Sequence, residues 1–384
     1  MSSPKKDIQV LRDLAKQYAE IAAKPVQEER RKLWASHFSL KKARPPVLVT
    51  YGSWNVWYRE VFNDAMLQCT SSFFRGQERH LRDRLFQDQI GDDYILEPWW
   101  VMGAAKIFPG EGLWGIKEDR IPANVEGGAW KFSPTFNVCE DPAVRMKILH
   151  HRIDEKKTAE QAARLQDAIG DLLPIEINRG PVCSSFASDI STHLTRLIGL
   201  ENLMLEMYEH PKELHRVLAF MRDAILLNNQ EAEDAGDYSL MTQGNQAMTY
   251  AETLERPRPK SGPRKRKDLW GFCAAQEYTL VSPAFHDEFL MQYQLPICNH
   301  FGLLHYGCCE NLTTKIDVLR QFKNLRSIAV TPTADVRKCA EQIGTDYALS
   351  WRPNPTDMVC AGWDEKRIRR IIREGLKTCR NSRL

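Results

Sequence analysis

No apolar run in this chain reaches the roughly 18 to 20 residues that a membrane helix needs, so no spanning segment is expected. The start, Met1-Ser2-Ser3-Pro4-Lys5-Lys6-Asp7, is polar and lacks an apolar centre, so it does not read as a signal peptide. The 10 cysteines follow no regular framework. A cytoplasmic protein with reduced thiols is therefore expected, most of them serving as small buried hydrophobes. An excess of one charge is also missing: 53 basic against 50 acidic residues leave +3, which gives no reason to expect nucleic acid as a partner. The one basic run, Arg264-Lys265-Arg266-Lys267, has no interleaved aromatics; it reads as a solvated loop or a docking patch for an acidic protein. No Gly-x-Gly-x-x-Gly follows the first strand, which disfavours a dinucleotide fold.

What is present is an ordinary core composition. With 43% hydrophobic and 27% charged residues, global disorder is excluded, and 384 residues suit one large α/β domain or two smaller ones. Residues 5–36 pattern as amphipathic helix around Leu11, Leu14 and Tyr18. Pro45-Pro46 breaks it, and Val47 through Gly52 reads as a short strand followed by an aromatic stretch, Ser53 through Tyr58. Helix is expected over 59–90 and from Asp141 to about residue 170. Strands are expected at 172–177, 237–242, 301–306, 325–330 and 346–350, with helices between and after them. This β-then-α repetition points to a parallel sheet, and a (β/α)8 TIM barrel fits the length. The expected organisation is an N-terminal helical extension over 1–45 and a barrel over 46–384 with an insertion at about 92–140. No strand follows the last helix, so the last barrel strand is missing from the count.

In such a barrel the working residues lie just past the C-terminal ends of strands. That rule selects Trp54 and Trp57, Glu176, Gln243, His305 through Glu310 and Arg352. His305, Cys308, Cys309 and Glu310 gather an imidazole, two thiols and a carboxylate within six residues. The set reads as a zinc site, as a metal-free acid/base pair, or as packed thiols at a strand end. A zinc ion would need a further ligand, for which Cys360 is a candidate. Glu176 on an apolar strand, and Gln276-Glu277 between two apolar stretches, are candidates for the pocket; so is an aromatic wall of Trp54, Trp57, Trp99 and Trp100.

Arg179-Gly180-Pro181-Val182 through Ser191, Leu197 through Leu203, Met207 through Pro211, Ser282-Pro283-Ala284-Phe285 through Pro296, Leu303-Leu304-His305 and Ile328 through Asp335 form an ordered series. In this the chain resembles the uroporphyrinogen decarboxylase superfamily over roughly residues 170–380. The resemblance implies a TIM barrel with its pocket at the strands' C-terminal ends. The decarboxylases of the superfamily carry an Arg-rich N-terminal segment, where this chain has Tyr51-Gly52-Ser53-Trp54-Asn55; that argues against a porphyrinogen substrate. The superfamily's corrinoid-linked methyltransferases bind zinc through His-x-Cys and a distant Cys, where this chain has His305-Tyr306-Gly307-Cys308-Cys309-Glu310.

The resemblance thus implies a methyltransferase. It would move a methyl group between a small methylated substrate or thiol and a corrinoid held by a carrier protein. His305 with Cys308 or Cys309 would bind zinc, Glu310 would supply a proton, and the tryptophans, Gln243, Gln276 and Arg352 would hold substrate. His305, Glu176 and Glu277 join Glu310 as expected catalytic residues; a decarboxylase of the same fold, in which a polar strand-end group stabilises a carbanion-forming step, and a non-catalytic corrinoid- or metal-binding module are the alternatives.

Overall fold

The computed structural model describes residues 4–50, 56–124, 129–184, 186–240, 247–360 and 362–384. Trp54 and Gln243 lie outside the described residues. The fold is mixed α/β, with about 49% helix and 10% strand, so the sheets are small. Among the described residues no helix is long and apolar enough to cross a membrane.

The strands are β1 (Trp100–Gly103), β2 (Asp119–Pro122), β3 (Trp130–Ser133), β4 (Ile175–Asn178), β5 (Trp270–Cys273), β6 (Leu303–Tyr306), β7 (Leu325–Val330) and β8 (Ala348–Trp351). β5, β6, β7 and β8 adjoin in chain order, all parallel. β1 pairs in parallel with β4, and β2 with β3 as an antiparallel hairpin. Parallel strands are covered on both faces, and alternation along each strand divides the residues between them. Leu304, Tyr306, Ile328, Val330 and Leu349 pack outward with residues of the helices Ser191–Ile198, Pro211–Asp234 and Val336–Ile343. Phe272, His305 and Ser327 are register partners across three strands and share the other face.

The N-terminal region is two helices rather than one, Pro4–Ala22 and Pro25–Phe38. Pro25 has no N–H to offer the first helix and suits the first turn of the second. Leu11, Leu14 and Tyr18 pack with Leu81, Trp100, Met102 and Leu165. Trp34 and Phe38 of the second helix pack with Ile95, Tyr250, Leu303 and Ala348. Trp34 Nε1 donates to the Asp93 carbonyl at 2.8 Å, and Arg326 donates to that of Phe38 at 3.0 Å. This helix therefore covers the end at which β6 and β8 begin.

Several boundaries differ from expectation for visible reasons. The helix expected from Asp141 stops after Pro142–Arg145, and a second begins at Glu155, where Asp154 accepts from the Lys157 N–H as cap. Residues 100–103, expected within the insertion, pair with β4 and so belong with the parallel strands. Val47 through Thr50 and Asp237 through Leu240 are irregular, although the Asp93 N–H donates to the Val47 carbonyl and the Arg264 N–H to that of Tyr238. β5 was not expected at all. Past the last helix, Glu365–Thr378, the Leu349 N–H donates to the Arg383 carbonyl at 2.7 Å, in a single parallel bridge beside β8.

Candidate active site

The pairing of β6 with β7 shifts register between Leu304 and His305, a local irregularity of the kind that re-aims a side chain. Gly307 follows with φ +104°, and a Cβ there would lie 2.9 Å from Ala329 Cβ and 3.0 Å from Leu312 Cδ1. Only glycine makes this turn without strain or overlap. The turn brings the Cys308 N–H onto Glu310 Oε2 at 2.8 Å. Glu310 Oε1 accepts from the Ala275 N–H just past β5 at 2.7 Å, and Thr331 Oγ1, just past β7, donates to the Glu310 carbonyl at 3.1 Å. Glu310 is 0% exposed. It ties together the ends of three strands, and both its oxygens are taken by backbone donors. Buried Lys315 donates to the Tyr278 carbonyl. Burial lowers its pKa to about 8, against the opposing pull of Glu310.

His305 is 4% exposed, stacks on Phe272 with ring centroids 6.0 Å apart, and neither ring nitrogen makes a well-formed hydrogen bond, only the Gly307 backbone lending a weak one. Burial, aided by the charge of Arg352, pushes its pKa down to about 3, so the imidazole is neutral near pH 7. Arg352, just past β8, donates through Nη1 to the Cys308 carbonyl, while its buried Nε and Nη2 have no partner. Ser327 Oγ, in register with His305, is likewise without one. Buried polar groups in native proteins are seldom left unpaired, so these three side chains keep hydrogen-bonding capacity for water or a ligand. His305 lines a cavity of about 780 Å³ whose wall includes Tyr94, Trp99, Trp100, Tyr238, Trp270 and Phe272. That size suits a small organic ligand.

A second polar group stands beside it. The Thr192 hydroxyl lies 2.8 Å from Asp189 Oδ2 and 3.4 Å from Glu277 Oε2, and Ser191 Oγ donates to Glu277 Oε2 at 2.7 Å. One hydroxyl has one proton to give. It gives that proton mainly to Asp189 at 2.8 Å, and the longer contact to Glu277 becomes a full hydrogen bond when one of the two carboxyls carries a proton. Burial raises the pKa of both: Asp189 rises well above the usual range, with Glu277's charge adding, and Glu277 rises with the charge of Glu310 adding. Next to this group the Cys308 and Cys309 thiols lie 3.6 Å apart. Cys309 is exposed, and the Cys308 hydrogen bond, followed by the Arg352 charge, lowers its pKa to about 7.

Of the residues chosen from sequence, His305, Cys308, Cys309, Glu310, Glu277 and Arg352 come together around the ends of β5, β6 and β8. Gln276 is half-buried on the same turn as Glu277. Glu176 is held elsewhere, accepting from the Lys260 N–H at 2.8 Å. Trp57 is buried edge-on against Phe86, with centroids 4.6 Å apart, and is absent from the cavity wall. Cys360 is exposed at the end of the short helix Pro355–Val359. Among the described residues no three His, Cys, Asp or Glu side chains converge as a metal ion would require. Asp189, Ser191 and Thr192 were not singled out from sequence.

Compared with known proteins, the chain matches no family model, and no curated protein matches it significantly.

Proposed function

We propose that this chain is a methyltransferase-like enzyme of the uroporphyrinogen decarboxylase superfamily, a (β/α)8 barrel that transfers a methyl group from a flat, methylated, anionic small molecule. The barrel reading is supported by a count. Residues 47–50, β1, β4, residues 237–240, β5, β6, β7 and β8 make eight segments once β5 is included. All but β7 and β8 contribute to the wall of the one cavity.

The observation that carries the reading is the pair of side chains left unsatisfied beside that cavity, His305 and Arg352. A methoxyaromatic carboxylate matches them. Its ring stacks on the aromatic wall, and negative charge developing on the departing oxygen falls to the spare guanidinium donors. The proton that oxygen needs is held by the Asp189–Thr192–Glu277 group, with half-buried Glu277 as its outer member. Glu310 acts as the clamp that positions the strand ends. A corrinoid on a carrier protein would supply the nucleophile that takes the methyl group. His305, Cys308 and Cys309 do not form a ligand set for zinc with any third group among the described residues. The cytoplasm, where thiols stay reduced, suits such an enzyme.

Arg352 also favours a second reading, decarboxylation, with the guanidinium anchoring a substrate carboxylate. Purified protein given cob(I)alamin and a panel of methoxybenzoates tests the first reading, and carbon dioxide release from the same acids tests the second. Methyl transfer lost in Arg352→Gln supports the proposal. Carbon dioxide release without demethylation replaces it with the decarboxylase. Binding without either reaction leaves a non-catalytic module.

A further inference from the structure

Two thiols on successive residues ordinarily point apart along an extended chain. Here the turn at Gly307 and the Glu310 clamp fold them together, 3.6 Å apart, with Cys309 exposed and Cys308 beneath it at 7% exposure. Neither is in a disulfide. We propose that Cys308 and Cys309 are a dithiol–disulfide couple, closed by a small-molecule disulfide, whose closure loosens the turn that Glu310 and Arg352 hold.

The exchange balances without any other oxidant. The exposed Cys309 thiolate attacks one sulfur of the small disulfide; that S–S bond breaks and one small thiolate leaves, taking up the proton Cys309 gave. Cys308 then loses its proton and its sulfur attacks Cys309 Sγ. The protein–small-molecule S–S bond breaks, and the second small thiol departs with that proton. Two protein thiols are oxidised and one small disulfide is reduced to two thiols. Adjacent Cα atoms stand about 3.8 Å apart, below the roughly 4.4–6.8 Å of unstrained disulfides, so this bond belongs to the labile, easily reduced class.

The coupling to the site runs through the two peptide units that meet at Cys308. Bringing the sulfurs to about 2.05 Å requires the Cys308–Cys309 unit to rotate. The Cys308 carbonyl accepts from Arg352 and its N–H donates to Glu310. Closure therefore breaks the contacts that hold Arg352 and the turn.

The test uses full-length protein carrying Cys139→Ser and Cys360→Ser, which removes the other exposed cysteines, and glutathione disulfide as the probe. The expected product has lost two hydrogens, carries no glutathione, and maps to a Cys308–Cys309 bridge that dithiothreitol reopens. Cys308→Ser should retain one glutathione on Cys309, and Cys309→Ser should react at neither position. In hydrogen exchange, the bridged form should lose protection at the Cys308 amide. A stable glutathione adduct on Cys309 with Cys308 present overturns the couple. A bridge that leaves the Cys308 amide as protected as before overturns its link to the Glu310-held turn. Both readouts are independent of any substrate, so they stand apart from the proposed methyl transfer.

Discussion

Glu310→Gln separates a clamp from a proton donor. Gln is nearly isosteric with Glu, so loss of a proton-donating group would lower turnover and leave stability alone. In the clamp each carboxylate oxygen accepts a buried backbone N–H, from Ala275 at 2.7 Å and from Cys308 at 2.8 Å. Gln offers one oxygen and one NH2, so one backbone donor meets another donor. The cost is one charge-assisted hydrogen bond plus a buried unsatisfied N–H, together about 2.5–6 kcal/mol. Glu310→Ala abandons both donors and should lose at least as much, about 5 kcal/mol or more. Urea unfolding followed by tryptophan fluorescence measures both variants. A loss under about 1 kcal/mol in Glu310→Gln, when one hydrogen bond to a charged group is worth about 1.5–3, would refute the clamp.

Three further outcomes are expected. His305 has a folded pKa of about 3 against about 6.5 unfolded, so the unfolded chain takes up this proton first as pH falls. Its contribution is complete above about pH 6.5 and falls by up to about 1.4 kcal/mol per pH unit down to about pH 3. Buried His286 adds the same trend, and His305→Gln should flatten the urea-stability slope between pH 6 and pH 4 by about one histidine's share; an unchanged slope would contradict the buried neutral imidazole. Gly307→Ala should cost about 1–3 kcal/mol through positive φ and overlap with Ala329, read as a lower urea midpoint. The rate of Cys309 alkylation by iodoacetamide should rise with a midpoint near pH 7, moving toward the ordinary thiol value in Cys308→Ser and in Arg352→Gln; a midpoint indifferent to both changes would remove the stated cause.

What could be read from sequence was what depends on local pattern. The helix Pro211–Asp234 announces itself by Pro211 in its first turn, and β7 by the apolar Ile328-Ala329-Val330 that ends Leu325–Val330. His305 was legible as the end of an apolar strand followed by glycine. β5 was hidden because Trp-Gly-Phe-Cys is only four residues long and sits behind a basic, proline-rich loop. The part of Glu310 was hidden because one of its donors, Ala275, lies 35 residues away. Glu277 was visible as a carboxylate between apolar stretches. Its partner Thr192 stands 85 residues distant, and nothing in a Ser-Asp-Ile-Ser-Thr stretch says that a second carboxyl, Asp189, meets it across the fold. The tryptophans misled for a related reason: composition marks an aromatic wall, but only packing decides that Trp99, Trp100 and Trp270 line the cavity and Trp57 does not.

The central claim is that the cavity beside His305 and Arg352 receives a small aromatic anion. Trp99, Trp100 and Trp270 line that cavity, so their fluorescence reports a ligand directly. Titration of the wild type and of Arg352→Gln with methoxybenzoates measures it. Saturable quenching in the wild type, with affinity at least about tenfold weaker in the variant, equivalent to about 1.4 kcal/mol, is the expected result. No change across the panel, or equal affinity in both proteins, would contradict the account.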